Sequence, residues 1–156
     1  MKNLLAVLFA ALVLAGGARA DGPGVVAAEF GCGYVGGAAV AVSGILFGNL
    51  VRDDEFASGG LIGALIGYPA GVGLGSWGAG EIWGDDSAND WATVGAAVGG
   101  AYASVGLGVG LGRWKGLIIG MLAAPAVSTA AYNVVKTLTK EEDEPTSLYI
   151  SASFSF

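Results

Sequence analysis

The chain has 156 residues, of which 29 are glycine, 54% are hydrophobic and only 13% are charged, and its mean hydropathy is +0.66. A soluble domain usually carries about 25% charged residues, so this one has too little polar surface to rest in water uncovered. A formal net charge of −6 leaves no basic patch for phosphates, which argues against nucleic acid as a partner, and the absence of histidine removes the commonest general base and metal ligand.

The N-terminus has the form of an export signal. Lys2 is followed by the apolar run "LLAVLFAALVLA" (4–15) and by "ARA" (18–20), with small residues on both sides of Arg19. The run is short for a membrane span. We expect a signal peptide over 1–20, cleaved after Ala20, which removes Lys2 and Arg19 and takes the net charge of the remaining chain to −8. Cys32 is the only cysteine and has no partner for an intrachain disulfide; between Gly31 and Gly33 it reads as a small packed hydrophobe.

Four Gly/Ala-rich apolar stretches follow, at 25–51, 59–80, 91–112 and 116–135, separated by "RDDEFAS", "EIWGDDSAND" and "RWK". Each is about twenty residues or longer, enough for a helix to cross a hydrocarbon core of about 30 Å. The second, "GGLIGALIGYPAGVGLG", puts Gly59, Gly63, Gly67, Gly71 and Gly75 at a strict spacing of four. Glycine in a helix interior costs about 1 kcal/mol against alanine. On one helical face, though, glycines form a groove into which a second backbone can settle, and in lipid such contact replaces the hydrophobic gain. The spacing recurs at Gly33–Gly37, Gly44–Gly48, Gly95–Gly99 and through Gly108, Gly112, Gly116 and Gly120. Residues 21–135 are therefore expected to form an all-α membrane domain of about four helices in hairpins.

A second pattern competes with this one. "VGLGVGLG" (105–112) also alternates with period two, as strands of a small transmembrane β-barrel do. The end of the chain alternates over nine residues and includes Ile150, Phe154 and Phe156; it predicts a strand-like tail over 146–156, after a charged linker at 136–145. Pro69 and Pro125 fall inside the second and fourth stretches and predict kinks; a full break at Pro69 would instead favour a re-entrant hairpin. Four spans with an outside start place Arg52, Arg113 and Lys115 on the inner side, as the positive-inside rule prefers. Trp77, Trp83, Trp91 and Trp114 stand near segment ends, suited to a membrane interface or to packing there.

Residues for catalysis are scarce. "GDDSAND" (84–90) fails as an EF-hand loop, since Asp90 and Ala96 occupy positions that need Gly and Glu. "RDDE" (52–55) and "EEDE" (141–144) read as solvated acidic runs. Serines and threonines have no histidine, and Lys136 and Lys140 are not spaced for a Ser–Lys pair. Glu29 lies within an apolar stretch, where an ionisable group is costly; we expect it at the interface before the helix proper, with a lumen-facing or proton-linked role as the alternative. The sequence predicts no enzyme, no cofactor and no metal site.

The stretch "GGLIGALIGYPAGVGLGSWGAGEIWGDDSANDWATVGAAVGG" resembles a loosely defined group of bacterial envelope proteins with glycine-zipper segments, through Gly67, Tyr68, Pro69, Gly71, Gly95 and Gly99, over roughly residues 57 to 133. The tail resembles the terminal strand of outer-membrane proteins. These resemblances imply an exported, membrane-associated envelope protein, in the outer membrane rather than the inner, that contacts lipid and self-associates or joins another envelope protein. An outer-membrane channel or pore, and a soluble secreted module, are the alternatives.

Overall fold

The computed structural model describes residues 22–51, 58–84 and 90–143, and their side chains apart from 51, 58, 112, 113 and 140–143. The expected signal peptide, the tail with Ile150, Phe154 and Phe156, and the loop centres at 52–57 and 85–89 lie outside the described residues.

Three helical runs make up the fold: α1 (Pro23–Val51), α2 (Ser58–Trp83) and α3 (Asp90–Asp143). Pro23 opens α1 at the position where a missing N–H leaves nothing unmade, and the Gly22 carbonyl accepts from the amides of Val25 and Val26. Asp90 opens α3, where a carboxylate favours the positive end of the helix dipole.

α3 is helical throughout yet doubles back on itself. Ser104 Oγ donates to the Gly120 carbonyl at 2.9 Å, and Ser128 Oγ to the Ala97 carbonyl at 2.9 Å. In a straight helix residues 104 and 120 would stand about 24 Å apart. The fold is thus an outgoing arm (Asp90–Leu111) and a return arm (Trp114–Thr139), and with α1 and α2 these give four segments long and apolar enough to cross a membrane. All four fall on the stretches picked out by composition.

Among the described residues every regular element is helix, so the barrel alternative is corrected. A strand at 105–112 would send Val105, Leu107, Val109 and Leu111 to one face. Instead Val105 is buried while Leu107 and Leu111 are 67% and 85% exposed. The alternation arises because glycine fills every second position; of Gly106, Gly108 and Gly110, Gly108 alone is needed for close approach, against Gly116 and Gly120. The helix also continues where a linker is expected: Lys136 to Asp143 are the last two turns of α3.

Both prolines lie inside continuous helices, so neither breaks its segment into a re-entrant hairpin. A proline frees a carbonyl about one turn before it, and tyrosines from other helices occupy these positions. Tyr68 donates to the Met121 carbonyl at 2.9 Å and Tyr34 to that of Leu122 at 2.6 Å, four and three residues before Pro125. Tyr102 donates to the Ile66 carbonyl at 2.7 Å, three residues before Pro69. The carbonyls before each proline are therefore tied to a neighbouring helix. Tyr68→Phe is expected to destabilise the fold by about 0.5–1.5 kcal/mol, since it removes the donor to the part-buried Met121 carbonyl; chemical denaturation in detergent reads this directly, and an unchanged midpoint would contradict the tie.

The interior is built from small and polar groups. Tyr68, Val72, Ala101, Val105, Leu117 and Ala124 form the buried cluster, and Val35, Phe47, Leu50, Ile66, Leu107 and Leu111 face outward. A protein in water reverses this order, and one that exposed so much contiguous apolar surface would aggregate. In lipid the arrangement is natural, because large apolar side chains meet acyl chains and small ones let backbones approach.

Candidate functional site

Two features could carry function: the glycine seam between α1 and α2, and a buried polar cluster at one end of the bundle.

The seam answers why five glycines recur at spacing four. α2 runs antiparallel to α1 in fixed register. Gly75 lies against the Cys32 backbone, Gly71 against Gly36, Gly67 against the Val40 carbonyl, Gly63 against Gly44, and Gly59 against Gly48. Each four-residue step forward on α1 meets a four-residue step back on α2. At Gly63, Gly67, Gly71 and Gly75 on α2, and at Gly36, Gly44 and Gly48 facing it, a methyl group would fall on the opposing backbone, so glycine is required by space rather than by torsion. Beside the seam, Val40, Phe47, Ile62 and Ile66 border an open apolar groove of about 740 Å³.

The other expected packing glycines divide. Gly108, Gly116 and Gly120 meet across the two arms of α3, whereas a Cβ at Gly95 or Gly99 would meet nothing from another segment within 4 Å, and both lie on the exposed side of the outgoing arm. Gly112 sits at the bend, among the side-chain positions not described. Gly33 and Gly37, although at spacing four, belong to a different contact: they face Ser76, Pro125, Val72 and Tyr68. Sequence reasoning missed Gly36, which completes the seam, and Gly73, which admits the backbone of Val98.

The second feature is polar. Glu29, Asn133 and Lys136 are each fully buried, as are Thr129 and Tyr132 on the same arm as Asn133 and Lys136; Ser76 and Thr93 are buried too. Glu29 is not ahead of the helix as the sequence reading expects; it lies in the second turn of α1 and faces inward. Its Oε2 accepts from Asn133 Nδ2 at 2.6 Å, and the same amide donates to the Thr129 carbonyl at 3.0 Å. Lys136 Nζ donates to the Tyr132 hydroxyl at 3.0 Å, and that hydroxyl donates to Glu81 Oε1 at 3.1 Å. Gly80 makes room for the Tyr132 ring, which lies where a Gly80 Cβ would stand.

Topology explains why these groups meet. The start of α1, the end of α2 and both ends of α3 lie at the same end of an up-and-down bundle. Residues 129, 133 and 136 follow a four–three spacing along one face of an otherwise apolar arm, with Tyr132 beside them. That spacing was available in the sequence, but Lys136 reads there as the first residue of a linker. Lys115 is exposed at the opposite end, and Trp83, Trp91 and Trp114 are exposed at helix ends rather than packed in the core.

Among the described residues no three of His, Cys, Asp or Glu come together as a metal-binding group. No protein-family model, curated protein or solved structure matches the chain. What the fold defines is an all-α, four-segment bundle of membrane-spanning length.

Proposed function

We propose that this chain is a non-enzymatic structural protein of the cell envelope, resident in a membrane and built on glycine-zipper packing. The observation that carries the reading is the α1–α2 seam, where five glycines in register bring two apolar helices to backbone contact. Helices paired in this way need no water to drive their association. The outward-facing Phe47, Leu50, Leu107 and Leu111 supply a lipid-compatible exterior. The likeness of "GYPAG" and "WATVGAAVGG" to glycine-zipper envelope proteins supports the same placement, as does the export signal read at 1–20.

Lipid is then the main partner. Self-association, or pairing with another envelope protein, has the open Gly95–Gly99 and Gly106–Gly110 pairs of the outgoing arm to use, where a Cβ would meet nothing within 4 Å. The soluble-module alternative is disfavoured by the number of large apolar side chains on the outside.

Fractionation tests the reading. The full chain, expressed with its N-terminal segment, is expected to remain with the membrane pellet through alkaline carbonate and to be released only by detergent. Release into the carbonate supernatant, or without lysis of the membrane, would overturn it.

A further inference from the structure

The four segments are free of charge over matching lengths. Helical residues 30–51, 58–80, 91–112 and 116–135 contain no Asp, Glu, Lys or Arg. At about 1.5 Å per residue these runs are about 30 to 35 Å long, and an average tilt of about 20° shortens them to about 28 to 33 Å.

The structure brings the ends of the runs to two levels. Glu29, Glu81 and Lys136 close three of them at one end of the bundle and are linked there. Glu29 Oε2 accepts from Asn133, and Lys136 reaches Glu81 through the Tyr132 hydroxyl. Asp90 opens the fourth run at the same end and is exposed, with the exposed rings of Trp83 and Trp91 close to it in sequence. Trp114 and Lys115 are exposed at the opposite end. Tryptophan favours the membrane–water interface, and buried charge costs less as it approaches that boundary. The outward apolar surface fills the whole height between the two levels: Leu50 and Leu111 at one rim, and Ile82 and Leu138 at the other, are each more than half exposed.

We propose that the outer face of this bundle is matched to a bilayer with a hydrocarbon core of about 30 Å, the thickness of an ordinary membrane, rather than to the thinner bacterial outer membrane. The inference rests on the membrane residence proposed above and names the kind of bilayer. It departs from the outer-membrane placement that the resemblance of the tail implies. A core of about 25 Å, the height of the apolar band on outer-membrane barrels, is too short for these runs. With the Glu29–Glu81–Lys136 end held at its boundary, about one turn of each run, Leu50 and Leu111 included, would stand among headgroups. In the thicker bilayer both rims are covered, and the polar cluster lies at the headgroup level on the side where α1 begins.

The test reconstitutes the full chain into phosphatidylcholine bilayers whose acyl chains lengthen stepwise, giving hydrocarbon cores from about 20 Å to about 35 Å. Thermal unfolding is followed by circular dichroism, and helix tilt by polarised infrared spectroscopy of aligned samples. The melting temperature is expected to peak near a core of about 30 Å, with tilt increasing as the core thins below that. Leu107→Lys places a charge on an exposed position about 9 Å inside the upper rim and is expected to move the peak toward thinner bilayers. A wild-type peak at about 25 Å or below, a melting temperature independent of thickness, or a Leu107→Lys peak at the wild-type thickness overturns the inference and leaves membrane residence standing. Failure to insert at any thickness overturns both.

Discussion

Gly63→Ala is expected to destabilise the protein by about 3 kcal/mol, the upper end of what overpacking costs, although alanine is the better helix former. The added methyl would fall on the backbone of Gly44, and Gly44 in turn lies on Gly63, so no flexible side chain can move aside. Relief requires α1 and α2 to separate, which loosens the contacts of Gly36 with Gly71 and of Gly48 with Gly59 together. Gly99→Ala provides the control. No atom lies within 4 Å of its would-be Cβ, so only helix propensity changes and the variant is expected to gain about 0.5–1 kcal/mol. Equal responses of the two variants in denaturant titrations in detergent would show that the seam is not a close backbone contact.

The second large effect lies in the polar cluster. Lys136→Met removes the only described ammonium among Glu29, Glu81, Tyr132 and Asn133 while keeping most of the apolar stem. Removing one member of a buried charged group costs about 3–5 kcal/mol, because the remaining charges stay desolvated. The double variant Lys136→Met/Glu81→Gln is expected to recover part of this loss. Lys115→Met, at an exposed position beside the bend, is expected to stay within about 0.5 kcal/mol of the wild type. Thermal unfolding of the four proteins side by side checks the ranking; a Lys136→Met protein as stable as Lys115→Met would contradict it.

Segment boundaries were the most legible part of the fold. The polar breaks after residues 51 and 112 divide the chain where the structure does, and the one after residue 80 falls three residues before the end of α2, because few polar groups can sit inside an apolar bundle without a partner. The Gly59–Gly75 run was equally plain, since nothing except close approach explains glycine at five successive helical turns. Its partner was less so. α1 offers glycines at 33, 36, 37, 44 and 48, and two registers share a spacing of four; only the position of Pro125 and Tyr68 against Gly33 and Gly37 assigns Gly36 to the seam. Spacing marks a face but does not say which neighbour covers it.

The same limit hid the polar cluster. Glu29 lies 104 positions from Asn133, and Glu81 lies 51 from Tyr132. Glu29 and Asn133 are isolated polar residues in apolar runs, and Glu81 reads as the start of a polar break, until the helices are brought side by side. Lys136 shows how local composition misleads: followed by Lys140 and four acidic residues, it reads as part of a solvated linker, yet its position three residues beyond Asn133 turns it inward. The tyrosines are a further case. Pro69 and Pro125 are plain in the sequence, but the hydroxyls of Tyr34, Tyr68 and Tyr102, which bond the carbonyls before them, come from other helices.

Oriented circular dichroism of the full chain in aligned lipid bilayers tests the central claim, that the Gly-rich middle forms helices crossing a membrane. A spectrum dominated by helix, with the helix axes close to the bilayer normal, is the predicted result. A spectrum dominated by strand, or helices lying in the membrane plane, would contradict the account.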